Sequence, residues 1–399
     1  MLAVPWYFAA QVDAAIFQKI YFTVTLISLF WGLVAGTLVD RYNRKQIFIW
    51  INIVGLFTLS TATLLGFVLT DYHWIIPAVV YAITFFIYNI HFPALYAFAQ
   101  EITPASAYGK VTSKLEVQGQ LTWTIAGGLA ALLISGTAAS SFYGISIPAI
   151  KAWPIHWIFF VDACTYICSL YLIYKISIAK NEHKIIDTDT LGQRLKTGFS
   201  YLKKHPLVFV FGNASLAVFV CIILQATLTN PTYVKEHLRA TGAVYAWSDM
   251  FFSGGALLAG FFSTRLLGEN KPILSIAYMS LVAAAMFIFQ VFNTNLSLFF
   301  ASFFVVGICN AAIRIQRITF LFRFIPNHLI GRASSVFFMS NVLFRLGLTA
   351  VFTLPFFITP IYVSYACGVY ALVCVAGAVA LFLIREKLFV EPIQQTYTI

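Results

Sequence analysis

The sequence predicts an all-α integral membrane protein made of two pseudo-symmetric six-helix bundles, and three observations support this fold class. Of its 399 residues, 60% are apolar and 10% are charged, whereas soluble domains carry about 25% charged residues. Its apolar runs are long and unbroken, which excludes a transmembrane β-barrel with its short alternating segments. Features of the first half of the chain also recur in the second half.

Eleven apolar runs reach the length of about 20 residues that a helix needs to cross a bilayer core. The longest runs are divided at turn residues, such as Asn293, Thr294 and Asn295. The eleven predicted spans are residues 20–39, 46–70, 74–100, 117–136, 152–174, 206–234, 243–264, 273–292, 296–321, 333–354 and 362–384.

The chain starts with an apolar segment, MLAVPWYFAA, which is about half a span long. It lacks the basic region that precedes the apolar part of a signal peptide. We interpret it as the far half of a first helix whose beginning is missing, and a short interfacial anchor is the alternative. An apolar segment encoded in frame upstream would favour the first interpretation.

The basic residues predict the orientation of the spans. With the C-terminus inside, 18 of the 25 Lys and Arg residues fall in cytoplasmic loops and ends, 4 fall in outer loops and three fall within spans. This bias follows the positive-inside rule, and it explains the net charge of +11 without a nucleic-acid partner. We therefore expect a multi-pass protein of the cytoplasmic membrane with a cytoplasmic C-terminus.

The six cysteines all lie in apolar runs without paired spacing, so they predict neither a disulfide framework nor a metal site. No cofactor is expected. The predicted partners are a small-molecule substrate and membrane lipids, and the protein is expected to be a monomer.

The longest polar stretch, residues 175–205, predicts a cytoplasmic middle loop between a bundle over residues 1–174 and a bundle over 206–384. Residues 385–399 form a predicted cytoplasmic tail. Two sets of residues recur across this loop, at offsets of 224 and 222. In the first set, Ala35-Gly36 and Asp40-Arg41 correspond to Ala259-Gly260 and Thr264-Arg265. In the second set, Pro104, Gly109-Lys110 and Ser113 correspond to Pro326, Gly331-Arg332 and Ser335.

The segment from Gly36 to Lys45 (GTLVDRYNRK) resembles the G-x-x-x-D-R-x-x-R-[RK] signature of the major facilitator superfamily. Residues 191–206 (LGQRLKTGFSYLKKHP) are similar to the middle loop of the branch that contains macrolide and siderophore (enterobactin) exporters. The resemblance covers essentially the whole chain. It implies two bundles that rock about a central site, with the first helix largely missing here.

The resemblance also implies a conformational latch, meaning a contact between the two halves that holds the outward-facing state. Gly36 would allow close helix approach, and Asp40 would face the positive end of a helix dipole. Arg41 and Arg44 would pair with lipid or with carboxylates such as Glu101. The alternative is that this basic cluster only anchors the topology, which is our interpretation of Lys45.

Three arginines within predicted spans need an explanation, because an Arg at mid-helix costs about 2.5–3.5 kcal/mol on insertion scales. Counted from the inner span ends, Arg317, Arg314 and Arg345 lie about 13, 18 and 20 Å deep. Asn310 shares a helix face with Arg314 and Arg317. We predict that these four residues bind an anionic group of the substrate, and the alternative is that the arginines hold helices together.

Proton coupling would need an acid whose pKa changes between two access states. The candidates are Asp162, Asp249 and Glu116, of which Asp162 is first interpreted as structural.

The predicted function is secondary active transport of a small amphipathic or anionic molecule, siderophore-like or drug-like, by efflux. Uptake through the same fold is one alternative. A membrane-embedded lipid-modifying enzyme is another, but the sequence shows no clustered acid, His or metal constellation for it. A remnant without transport activity is a third.

Overall fold

The computed structural model describes residues 2–69, 73–101, 103, 108–136, 140–142, 145–147, 151–176, 191–266, 272–359 and 361–386. The chain divides into two compact units. The first contains residues 1–188 and 230–247, and the second contains residues 189–229 and 248–399.

Long helices make up most of the described residues of the first unit. They are α1 (Ala3–Gln11), α2 (Ala14–Arg41), α3 (Arg44–Val68), α4 (Ile75–Glu101), α5 (Tyr108–Ser135) and α6 (Ile155–Lys175). A short antiparallel ribbon of β1 (Ser140–Phe142) and β2 (Ile145–Ile147), with Ser141 opposite Ser146, joins α5 to α6 and was not predicted.

The second unit begins with α7 (Leu191–Lys204), a helix in the predicted middle loop. A segmented helix follows. It consists of α8 (Pro206–Ala214), α9 (Ala217–Leu224), a π-helical turn (Gln225–Thr229), α10 (Asn230–Thr232) and a second π-helical turn (Tyr233–His237), of which the part from residue 230 belongs to the first unit. The remaining helices are α11 (Gly242–Leu266), α12 (Pro272–Phe292), α13 (Leu296–Phe324), α14 (Asn327–Phe352), α15 (Pro355–Ile358) and α16 (Tyr365–Ile384).

Nine helical segments in the described part of the chain are long and apolar enough to cross a membrane, and each overlaps a predicted span. The other two predicted spans, residues 117–136 and 243–264, coincide with α5 and α11. These helices are long enough but more polar, with Gln118 and Gln120 in α5 and Asp249 in α11. The multi-pass helical architecture is therefore confirmed, while the count of eleven spans stays a prediction.

Side chains of Asp and Asn fix the starts of three helices. Asp13 accepts a hydrogen bond from the backbone N–H of Ala15 (2.7 Å) at the start of α2, and Asn43 caps α3 in the same way. Asn295 accepts from Ser297 and Leu298 at the start of α13. Each cap satisfies N–H groups that the first helical turn leaves without a partner. The predicted turn at residues 293–295 and the break between the predicted spans 20–39 and 46–70 therefore have a physical cause.

Within the first unit, α3 packs along α6 and α4 packs between α2 and α3. Gly55 of α3 lies so close to Tyr166 that a Cβ there would be 2.2 Å from a ring carbon. The Trp31 indole of α2 donates to the carbonyl of Phe86 in α4 (3.0 Å). Because lipid tails are as apolar as the helix surfaces, such close contacts and hydrogen bonds are what hold helices together in a bilayer.

The second unit repeats this pairing. Its most extensive helix contact is between α12 and α16, which corresponds to the contact between α3 and α6 in the first unit. In the same way, α13 packs on α12 as α4 packs on α3. The predicted repeat matches Ala35 with Ala259, and both side chains are buried. The helix pairing therefore supports the duplication inferred from the sequence.

Candidate functional site

Four of the five residues of the predicted latch lie at or near the junction of α2 and α3, and the fifth lies at the end of α4. Gly36, Asp40 and Arg41 belong to the last two turns of α2, Arg44 begins α3, and Glu101 ends α4. The side chains of Asp40, Arg41 and Glu101 lie outside the described part of the structure. The latch contact therefore stays a prediction.

Lys45, beside this motif, has a defined contact within the first unit. Its Nζ donates to the carbonyls of Tyr174 (3.0 Å) and Ile176 (2.7 Å), where α6 ends. The last carbonyls of a helix lack intrahelical partners and carry partial negative charge. Lys45 thus ties the start of α3 to the end of α6.

The polar stripe predicted on α13 is present as a helix face. Asn310, Arg314 and Arg317 all lie within α13 and are all half-buried. Arg317 reaches a neighbouring helix, because its Nε and Nη2 each lie 3.4 Å from the carbonyl oxygen of Gly212. Its guanidinium also stands over the ring of Phe337, 5.6 Å from the centroid.

The acceptor for Arg317 exists because the segmented helix breaks after α8. The carbonyl of Gly212 lies two residues before the end of α8, where intrahelical bonding stops. The ring of Phe337 fills the space that a side chain at residue 212 would need, since a Cβ there would lie 2.1 Å from a ring carbon. Arg317 therefore joins α8, α13 and α14 in the second unit.

Arg345 lies on α14 in a different environment. Its side chain is 6% exposed, and its Nε is buried without a hydrogen-bond partner among the described residues. A guanidinium has five N–H donors and no acceptor, so a buried donor of this kind calls for an anionic or carbonyl oxygen. The structure thus distinguishes Arg345 from Arg317, which already has an acceptor.

Asn341 is a polar residue that the sequence analysis missed. It lies one turn before Arg345 on the same face of α14, is 7% exposed, and has a buried Nδ2 without a partner in the described part of the chain. The i, i+4 spacing of two polar residues within an apolar span was the available signal. Together they present two buried donors along one helix face.

The three candidate coupling acids lie on three different helices. Asp162, on α6, is half-buried, and its Oδ1 lies 3.4 Å from the Thr165 hydroxyl. Asp249, on α11, has an Oδ2 that is buried without a hydrogen-bond partner among the described residues. Glu116 lies on α5, and its side chain is outside the described part.

Asp162 also lines a small groove within the first unit. The other lining residues come from α1, α4 and α6 and are mostly apolar: Ala3, Val4, Val80, Tyr81, Thr84, Ile158 and Phe159. The carboxylate is therefore the one charged group among these lining side chains.

A buried amide network lies at the first π-helical turn, and the sequence pattern does not predict it. Gln225 donates to the Oε1 of Gln290, whose Nε2 donates to Ser302 (2.8 Å). Thr229, at the end of the turn, pairs with the Tyr370 hydroxyl (3.1 Å). The network links the segmented helix to α12, α13 and α16, and π-helical turns are frequent near functional sites.

Cysteines supply no candidate metal centre. Cys164 and Cys168 are exposed, whereas Cys221, Cys309, Cys367 and Cys374 are buried. Among the residues that the structure describes, no group of three or more His, Cys, Asp or Glu side chains could hold a metal ion.

Comparisons with known proteins agree with this architecture. The family described as Major Facilitator Superfamily matches residues 1–346. A search of curated protein sequences finds no match.

Three solved transporters illustrate the similarity of fold. The nucleoside transporter NupG is 14% identical, with 95% of this chain and 93% of that chain covered and a TM-score of 0.64. A D-xylose-proton symporter is 12% identical, with coverage of 95% and 91% and a TM-score of 0.67. A bacterial homologue of the iron transporter ferroportin, in an inward-facing state, is 12% identical, with coverage of 95% and 94% and a TM-score of 0.68. At these identities the likeness shows the fold and does not show a substrate.

Proposed function

Because the chain belongs to the Major Facilitator Superfamily, we propose that it is a secondary active transporter that moves a small amphipathic or anionic molecule across the cytoplasmic membrane by alternating access. The family indicates a transporter rather than an enzyme. The alternative of a lipid-modifying enzyme has no observation in its favour. The membrane and the orientation rest on the distribution of basic residues.

The observation that carries the anionic substrate is the buried donor of Arg345. A cation within a membrane span is costly unless it has a partner or a function. The Arg345 Nε has no acceptor among the described residues, and the Asn341 amide adds a second buried donor one turn away. A carboxylate or another oxyanion of a ligand would supply the missing acceptors.

We extend the same role to the polar face of α13. Arg314 would contribute to the positive field around the ligand, since a low-dielectric surrounding strengthens the interaction of each charge relative to water. Asn310, which is neutral, would offer amide hydrogen bonds. Arg317 would add charge from a fixed position, because Gly212 and Phe337 already hold its guanidinium. The proposed substrate-binding residues are thus Asn310, Arg314, Arg317 and Arg345, together with Asn341.

Direction and coupling belong to the same proposal. The similarity of residues 191–206 to siderophore and macrolide exporters favours efflux of a siderophore-like or drug-like molecule over uptake. For proton coupling we favour Asp249, whose Oδ2 is buried without a partner in the described part, over Asp162 and Glu116. The residues Gly36, Asp40, Arg41, Arg44 and Glu101 stay the proposed latch.

Transport by the purified protein in proteoliposomes tests the role of Arg345. A panel of amphipathic probes of matched size, with negative, zero or positive charge, would be assayed for protein-dependent flux. We expect the anionic probes to be transported and Arg345→Ala to lower their flux by about 30-fold or more, since losing a buried charge partner costs roughly 2–5 kcal/mol. Arg345→Lys should keep part of the flux, because it retains the charge but loses the planar fork.

A matched control separates this effect from a general loss of charge. Arg385→Ala removes an exposed arginine that pairs with Glu386 (3.2 Å) and should leave the flux unchanged. Thermal unfolding of each variant shows whether it is folded. Unchanged anion flux in a folded Arg345→Ala protein, or flux of cationic probes only, would contradict the proposal.

A further inference from the structure

The helix α7, which precedes the segmented helix, has an exposed basic face. It ends at Lys204, two residues before the span that begins at Pro206. Lys196, Lys203 and Lys204 are all exposed. The predicted middle loop therefore contains an ordered helix whose charges lie next to a membrane span.

Contacts within the second unit place α7 beside the ends of the neighbouring candidate spans. The Tyr201 hydroxyl donates to the carbonyl of Phe324 (3.1 Å), three residues beyond the span that ends at Leu321. Gly198 packs on the backbone of Arg332, the first residue of the span in α14, where a Cβ would lie 2.3 Å from the carbonyl oxygen. Three candidate spans begin or end beside α7, which predicts a position at the membrane surface for this helix.

The two faces of α7 differ in character. Gly198, Leu202 and Tyr201 contact the rest of the second unit, with Leu202 fully buried. On the opposite face, Lys196, Phe199 and Lys203 are spaced i, i+3 and i+7 and point the same way. The Phe199 ring is 58% exposed, which places a large apolar group between two cations.

We propose that this basic face of α7 binds anionic phospholipid headgroups, with Phe199 entering the boundary of the acyl region. A basic helix with an aromatic side chain on its exposed face matches the composition of helices that lie in a bilayer interface. Basic residues directly adjoining a span are attracted to the negative surface of the cytoplasmic leaflet. The positive charge of this face, opposite to that of the headgroups, and the position of α7 beside span ends thus indicate a lipid partner rather than a soluble one.

Electron spin resonance with spin-labelled lipids tests this proposal on the full-length protein in bilayers. The preference for phosphatidylglycerol over phosphatidylcholine would be measured for the native protein and for a K196Q/K203Q/K204Q variant. We expect the variant to lose most of the preference, up to about fivefold per lysine. High salt should also lower the preference of the native protein for phosphatidylglycerol, because salt screens exposed charges.

The matched control carries the same loss of charge elsewhere. Lys114, Lys175 and Arg385 are exposed and lie on the same predicted side of the membrane, but on three separate helical segments rather than on one face beside an exposed aromatic ring. A K114Q/K175Q/R385Q variant should therefore lose clearly less of the lipid preference than the α7 variant. If the two triple variants lost the preference equally, or if neither lost it, the proposal would be overturned, and a soluble acidic partner would be the next hypothesis for this face. Should the α7 variant fail to fold, Lys203→Gln alone and the salt titration of the native protein decide the question.

Discussion

Lys45 shows how a single cation can join two helices of the first unit. Its Nζ binds two carbonyls at the end of α6 and lies 5.9 Å from the centroid of the Tyr174 ring. These carbonyls have no intrahelical N–H partner, and the partial negative charge of the helix end attracts the ammonium group. The basic cluster around Lys45 predicts a topology anchor at this residue, and the structure adds a specific contact.

Replacing Lys45 by Met should therefore lower the free energy of unfolding by about 1 kcal/mol, the usual size of a cation at a helix C-terminus. The variant Lys45→Arg should keep part of the stability that Lys45→Met loses, because it retains the positive charge. Thermal unfolding in detergent measures the effect. The control is Lys114→Met, which removes an exposed lysine from the interior of α5, away from a helix C-terminus, and should leave the stability unchanged. Equal stability of Lys45→Met and the native protein would show that the two carbonyl contacts contribute nothing.

Arg317 and Arg345 show what the sequence can and cannot say about a site. Both were predicted from depth within a span, and both lie on long helices as expected. Their environments differ because the segmented helix breaks after α8, about 100 residues before Arg317 in the chain, and this break leaves the Gly212 carbonyl free to accept from Arg317. The Arg345 Nε has no such acceptor among the described residues. Spacing along one helix carries no information about such a break.

At the scale of whole helices, α11 and α13 approach each other through two glycines. A Cβ on Gly255 of α11 would lie 2.0 Å from the carbonyl oxygen of Phe304, and a Cβ on Gly307 of α13 would lie 2.1 Å from that of Phe252. Both neighbours are backbone atoms, which cannot move aside as a flexible side chain can. The two helices therefore pack at a distance that only glycine permits.

Gly255→Ala and Gly307→Ala should each destabilise the protein by about 1–3 kcal/mol, the usual cost of overpacking. Gly254→Ala is a matched control on the adjacent residue, since its nearest neighbour would be the Phe304 ring at 3.8 Å. That change should be neutral or stabilising, because Ala favours a helix over Gly by about 1 kcal/mol. The melting temperatures of the three variants in detergent test this expectation. Similar values for Gly254→Ala and Gly255→Ala would show that the helices can separate without cost.

The helices divide into those that the sequence could predict and those that it could not. Spans follow from hydropathy, because a continuous apolar run of about 20 residues has few other stable arrangements. The π-helical turn Gln225–Thr229 could not be predicted, since its cause is a hydrogen-bond network with α12 and α16 that only tertiary packing creates. The helix α7 lies in a polar stretch that a search for apolar runs passes over.

For the molecule as a whole, the repeat predicted from a few residues reappears as a repeated pairing of helices. In the first unit α3 packs on α6, and the corresponding helices α12 and α16 pack on each other in the second unit. The pairing thus follows the order of the helices in the fold.

The orientation of the whole chain yields the last prediction. Basic residues in short loops near span ends are retained in the cytoplasm, and 18 of the 25 fall on one predicted side against 4 on the other. A fluorescent protein fused after Ile399, or inserted within residues 177–190, should therefore be active. Alkaline phosphatase inserted after Arg239, an exposed loop residue, should be active too, because this enzyme matures only outside the cytoplasm.

Exchanging the two reporters is the control, since each should lose activity at the other's position. The test does not depend on a substrate, so it holds whatever the protein transports. Phosphatase activity within residues 177–190 would place the basic loop outside. It would contradict the orientation, and with it the cytoplasmic position of α7 and of the proposed latch.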